Sequence, residues 1–197
     1  MRAGLIAAWL AAGLLGGALA GCDAPPKFAS TDITGASFAS QGFTLSSHEG
    51  KSVSLSDFRG KVVMVFFGFT QCPDVCPTTL SSMAQVMQRL GKDAERVQVL
   101  FITLDPERDT QQVLAAYLPQ FHPSFMGLYG DLSATAVVAR DFKVFYQKAP
   151  LDKGGYTIDH ATSSYLFDPT GRVRLYASHN APAESLAKDI AQLLAGK

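Results

Sequence analysis

Three cysteines and four histidines occur in the 197-residue chain, and two of the cysteines lie close together in "FTQCPDVCPTTL", residues 69–80. Three residues separate Cys72 from Cys76, and a proline follows each. Two thiols at this spacing suit three kinds of chemistry. They can close a structural disulfide, exchange electrons with another dithiol, or serve as two soft thiolate ligands for Cu(I) or Zn(II). The structural use is the weakest, because so short a loop stabilises by only about 2 kcal/mol in the chain-entropy model. The pair alone does not separate the other two.

Two ligands protect a metal poorly, so a third is expected, and histidine is the residue type that fits best. His48 falls in a predicted hairpin turn and reads as solvated. His122, in "QFHPSF", stands at a helix end, where a histidine complements the dipole. His179, in "ASHNAP", reads as loop or helix start. His160 differs. It belongs to "GGYTIDHATSSYLF", a glycine-initiated loop entering a strand at 164–167. In a thioredoxin-like sheet this segment packs against the turn that carries the cysteines. Asp159 beside it is a candidate to support the imidazole from behind. Thioredoxin-like oxidoreductases carry a proline in this loop, yet residues 151–167 contain none. They also space their cysteines by two residues instead of three. Both departures count against dithiol exchange without excluding it.

The elements around these residues follow from pattern. "KVVMVFFGF" (61–69) and "VQVLFITL" (97–104) are near-continuous β-branched and aromatic runs, as expected of strands buried on both faces. The cysteines therefore sit in the turn after the first strand. Pro77 suits a helix start, Leu80, Met83, Ala84, Met87 and Leu90 follow helical spacing, and Gly91 suits the stop. Cys76 then lies near a helix N-terminus, where the dipole favours a thiolate. "GFTLSSHEGKSVSLSDF" (42–58) reads as a β-hairpin turning at Glu49 and Gly50. Helices are expected over 109–121, with Asp109 as cap, over 131–142, with Asp131 as cap, and over 181–196. "SSYLFDPTGRVRLYAS" (163–178) reads as two strands, with Tyr165 and Phe167 in the core. The order β-α-β-α, then β-β-α, predicts one α/β domain over 42–197. It resembles the thioredoxin fold with an N-terminal β-hairpin and an inserted helix. The acidic "DPERDT" (105–110) falls at a strand end on the same side as the cysteine turn. It reads either as a turn capping the next helix or as part of the site.

The first 22 residues read as an export signal. Arg2 precedes an uncharged run from Ala3 to Ala20, and "LAGC" (19–22) resembles a bacterial lipobox. Cleavage there removes residues 1–21 and leaves Cys22 as a lipidated N-terminus, with 22–41 as a flexible membrane tether. Asp23 resembles an inner-membrane retention signal. The chain has 17 basic and 17 acidic residues. Loss of Arg2 leaves a net charge of −1, which argues against nucleic acid as a partner. With Cys22 lipidated, Cys72 and Cys76 are the remaining pair, in a compartment that oxidises close thiols.

Three stretches in order, "GKVVMVFFGFTQCPDVCPTTL", "TLDPERDT" and "DHATSSYLFDPTG", resemble the Sco/SenC proteins, copper-binding assembly factors for cytochrome oxidase. The resemblance implies a thioredoxin-like fold and one copper, Cu(I) or Cu(II), per chain, held by Cys72, Cys76 and His160. It implies cytochrome c oxidase subunit II as partner, whose dinuclear copper centre is served by copper delivery or by reduction of its cysteines. An upstream periplasmic copper donor and a thioredoxin-like reductant fit as further partners, on the periplasmic side of a bacterial inner membrane. Gln71, Ala161 and Gln111 depart from common family residues, and none of them is a ligand.

Overall fold

The computed structural model of the chain describes residues 26–39 and 42–197. The expected leader, its charge pattern and Cys22 lie outside the described residues. The chain order begins with strand β1 (Thr31–Asp32), the hairpin β2 (Thr44–Ser47) and β3 (Ser52–Ser54), strand β4 (Val62–Gly68) and helix α1 (Val75–Leu90). Strand β5 (Val97–Thr103), helix α2 (Gln111–Tyr117), strand β6 (Met126–Tyr129) and helix α3 (Leu132–Asp141) follow. Strands β7 (Tyr146–Pro150), β8 (Tyr156–His160), β9 (Ser164–Phe167) and β10 (Val173–Ala177) precede helix α4 (Ala183–Leu194).

Among the described residues eight strands form one sheet in the order β1-β10-β9-β4-β5-β6-β2-β3, while β7 and β8 pair only with each other. Strands β4, β5 and β6 run parallel, and β9 runs antiparallel to β4. This is the expected thioredoxin-like α/β domain. Every residue of β4 and β5 is buried, which explains their unbroken apolar runs: helices cover both faces of a parallel pair. On one face Phe67 packs edge-on against Phe142 and Tyr165. On the other, Phe66 meets Phe101, and α1 packs beside α4.

Several expectations change. The tether expected over 22–41 is docked in its described part. Thr31 and Asp32 pair with Tyr176 and Leu175 of β10, and the buried Asp189 carboxylate accepts the N–H groups of Ala29 and Ser30, each at 2.8 Å. Hydrogen bonds from distant elements, not local periodicity, order that segment. Helix α1 starts at Val75, two residues before the expected Pro77, so Cys76 lies inside its first turn. Asp131 caps α3 as expected, accepting from Ala134 N–H at 2.7 Å. Asp109 does not cap α2; Thr110 does, accepting from Val113 N–H. The glycine-initiated loop before β9 is a two-stranded arm, β7–β8, in which Tyr146 pairs with His160.

Candidate metal centre

Parallel β4 and β5 end on the same side of the sheet, and the turn after β4 carries Cys72 and Cys76. Gly68, the last residue of β4, makes room for the second sulfur. The main chain holds the turn: Cys72 N–H donates to the Phe69 carbonyl at 3.3 Å, and Thr78 N–H to the Asp74 carbonyl at 3.1 Å. Cys76 is buried in the first turn of α1, while Cys72 is half-buried beside it, and both are free thiols. Cys76 N–H points at Cys72 Sγ, 3.4 Å away, so the helix start favours a thiolate on Cys72 and not, as the spacing suggested, on Cys76, which is buried within the turn.

His160 closes β8, and its Nε2 stands 3.7 Å from Cys76 Sγ. The two sulfurs and an imidazole nitrogen all lie within 4.8 Å of one another. This S,S,N donor set is soft, and it fits one copper ion. His160 Nδ1 lies 2.7 Å from the Ala161 carbonyl. A carbonyl only accepts, so Nδ1 carries the proton, and in the neutral ring Nε2 keeps its lone pair toward the sulfurs. The Phe69 ring meets the imidazole edge-on, with centroids 5.9 Å apart. Asp159, expected behind the imidazole, is exposed. Alternation along β8 directs it away from the His160 side, and the Ala161 carbonyl takes the place it would have filled.

The two thiols differ sharply in acidity. A hydrogen bond from Cys76 and the backbone N–H groups of Cys76 and Asp74 outweigh burial and lower Cys72 to about 4. Cys76 moves the other way, pushed up by its hydrogen bond to Cys72 and by burial. At neutral pH the pair thus holds one thiolate, on the more exposed sulfur.

The remaining histidines are accounted for elsewhere. His48 is bonded rather than solvated: its Nδ1 accepts Gly127 N–H at 2.9 Å. His122 bonds Ser124 at 2.8 Å, and burial lowers its pKa, which disfavours the charged form a helix dipole would use. His179 meets Thr162 at 3.0 Å.

The "DPERDT" segment belongs to the site. Buried Asp109 accepts from Thr70 N–H at 3.0 Å, Thr70 Oγ1 at 2.5 Å and Thr103 Oγ1 at 2.6 Å, fixing the residue two before Cys72. Burial pushes its carboxyl up, against these bonds. Arg108 Nη1 reaches Gln71 Oε1 at 3.0 Å and the Tyr156 carbonyl at 2.9 Å. Sequence reasoning singled out neither Gly68, Arg108 nor Tyr156. For Gly68 a signal existed, since glycine inside a buried strand marks a close approach.

A family model described as SCO1/SenC matches residues 31–195. The protein SCO2 homolog, mitochondrial, of Bos taurus is 39% identical over 156 residues, 78% of this chain and 59% of that protein. The chain thus spans about three-fifths of that relative's length. "Structure of Bradyrhizobium japonicum ScoI with copper bound" is 39% identical and covers 77% of this chain and 97% of that one, with a TM-score of 0.72. A structure titled as a SCO1/SenC family lipoprotein from Bacillus anthracis is 26% identical, covering 83% and 97%, with a TM-score of 0.70.

Proposed function

The chain belongs to the SCO1/SenC family, and from that premise we propose that it is a copper metallochaperone binding one copper ion through Cys72, Cys76 and His160. It assists assembly of the dinuclear copper centre of cytochrome c oxidase subunit II. The observation that carries this reading is the convergence of two sulfurs and an imidazole nitrogen within 4.8 Å, supported by the copper-bound relative. Copper is cargo here. Cys72 supplies a thiolate already ionised at neutral pH, His160 offers Nε2, and Cys76 adds its sulfur on losing a proton to water. Cys72 and His160 are half-buried while Cys76 is buried. An incoming thiol therefore meets the accessible ligands first, which suits ligand-by-ligand handover.

The protein is anchored by lipid on Cys22 at the periplasmic side of a bacterial inner membrane, a reading supported by the lipoprotein relative. Among the described residues no helix is long and apolar enough to cross a membrane. An upstream copper donor and a thioredoxin-like reductant complete the partners.

A second reading is favoured by the acidity of Cys72. The copper-free pair would act as a thiol–disulfide reductase: the Cys72 thiolate attacks a disulfide of subunit II, Cys76 then displaces the mixed disulfide, and two electrons and the Cys76 proton pass to the target as Cys72 and Cys76 join. One substitution separates the two. Anaerobic Cu(I) titration of the reduced full-length chain against a competing chelator should show at least about tenfold weaker binding in His160→Ala, with thiol exchange largely intact. An unchanged affinity would sink the three-ligand site. Rapid reduction of oxidised subunit II by the copper-free chain would favour the reductase.

A further inference from the structure

The arm that carries His160 is not part of the main sheet. Strands β7 and β8 pair with each other and share no ladder with the other eight. No ladder to the main sheet therefore sets the position of His160 over the cysteines, and side-chain contacts hold the arm instead. Buried Ile158 seats the middle of the arm. At the far end of β8, Tyr156 meets a charged node.

Arg108 is the centre of that node. Its Nε donates to Asp105 Oδ2, and its Nη1 bridges Gln71 Oε1, in the cysteine turn, and the Tyr156 carbonyl, in the arm. Its guanidinium lies 3.7 Å from the centre of the Tyr156 ring, a distance at which the cation and ring attract. The Tyr156 hydroxyl returns to the same carboxylate, donating to Asp105 Oδ1 at 2.9 Å. The node is buried on its acidic side, since Asp105 is only 1% exposed. Lys148 lies 4.4 Å from the Tyr156 ring centre and pairs with Glu107, so two cations lie against the ring.

We propose that Arg108, held by Asp105, is a positioning residue that latches the β7–β8 arm to the cysteine turn through Tyr156 and Gln71 and thereby sets His160 as the third ligand. Arg108 touches no metal ligand in this scheme; it acts through the arm. The inference rests on the reading of Cys72, Cys76 and His160 as copper ligands. Its consequence is a site with two settings. With the latch closed the chain offers three ligands, and with it released the chain keeps the two sulfurs and a distant imidazole.

The test is a double-mutant cycle on the reduced full-length chain, read by anaerobic Cu(I) competition. Arg108→Gln should weaken Cu(I) binding roughly 10–100-fold, the range for residues that orient a metal ligand. Tyr156→Phe keeps the ring and the Arg108 charge and loses only the hydroxyl tether, so it should weaken binding by a smaller factor. In a His160→Ala background both substitutions should change affinity by less than about twofold, because residues acting through one ligand are not additive. In the Cu(II)-loaded chain, Arg108→Gln should also diminish the imidazole nitrogen signature in the electron paramagnetic resonance spectrum. Full effects that persist without His160 would overturn the latch and show that the Arg108 charge acts on the thiolates directly. Wild-type affinity in both Arg108→Gln and Tyr156→Phe would overturn it as well. If His160→Ala alone leaves affinity unchanged, the ligand assignment fails and the latch fails with it. Should Arg108→Gln not fold, the Tyr156→Phe arm of the cycle decides.

Discussion

Gly68 lies directly beneath Cys76: a Cβ placed on the glycine would stand 2.9 Å from Cys76 Sγ, and equally close to Phe101. The second sulfur of the site occupies the space that a side chain on the last residue of β4 would need.

Gly68→Ala therefore has no room. The Phe101 ring is buried and the cysteine is fixed in the first turn of α1, so neither can yield freely. The variant should lose about 1–3 kcal/mol of stability, the usual cost of overpacking a core. It should also bind Cu(I) more weakly than the wild type. Denaturant unfolding and chelator competition measure the two effects, and wild-type values in both would show that Cys76 is not packed against this glycine.

Asp109 supports the other sulfur indirectly. Replacing it with alanine strands Thr70 N–H and the hydroxyls of Thr70 and Thr103 in a buried setting. Unsatisfied buried groups cost about 1–3 kcal/mol each, so Asp109→Ala should be destabilised by at least about 2 kcal/mol. Thr110→Ala removes the cap of α2 and should cost only about 1 kcal/mol. Comparing the two by urea unfolding tests the assignment: a larger loss for Thr110→Ala would return Asp109 to a minor role.

How much of this was visible beforehand depends on how far each residue reaches. The buried strands β4 and β5, the cysteine turn and the capping of α3 by Asp131 rest on patterns within a few residues, and those were legible. Asp109 and Thr110 are neighbours with similar capping chemistry. What distinguishes them is Thr70 and Thr103, partners that local sequence does not bring near. Strand β1 is two residues long and exists through its pairing with β10. The short β6, "MGLY", lacks alternation, and β7, "YQKAP", is mostly exposed and ends in proline. That His160 joins the two sulfurs was legible by type and position, but the β7–β8 arm that carries it was not, because its contacts through Tyr156 and Arg108 come from residues far apart in sequence.

Asp168 gives the molecule a defined acid response. Burial raises its carboxyl, but the Thr170 hydroxyl, the backbone N–H groups of Arg172 and Thr170, and the Arg172 charge outweigh it and leave the group below its ordinary 3.8. A carboxyl lowered on folding adds stability above its unfolded value and loses it as pH falls through the folded one. Asp168→Asn should thus be less stable than the wild type by about 2 kcal/mol at pH 7. The gap should narrow as pH drops below about 4. Urea midpoints across pH 2–7 (roughly the range in which carboxylates titrate) provide the check, and a gap that stays constant with pH would refute the assignment.

Asp189 ties α4 to the start of the described chain. Asp189→Ala should free Ala29 and Ser30 from the helix and loosen β1, whose following residue Ile33 donates to the Arg174 carbonyl at 2.8 Å. Hydrogen exchange at the Ile33 amide should accelerate at least about tenfold, as expected for a segment that opens locally. Unaltered protection at Ile33 would mean that β1 is held by its ladder alone.

The hydrogen bond from His160 Nδ1 to the carbonyl of the very next residue matters for an imidazole mounted on an arm. Histidines tuned by a carboxylate from another element lose that tuning when the two elements part. Here the partner travels with the ring, so the lone pair stays on Nε2 wherever the arm stands. An imidazole that left the sulfurs would return without waiting for a proton to change places.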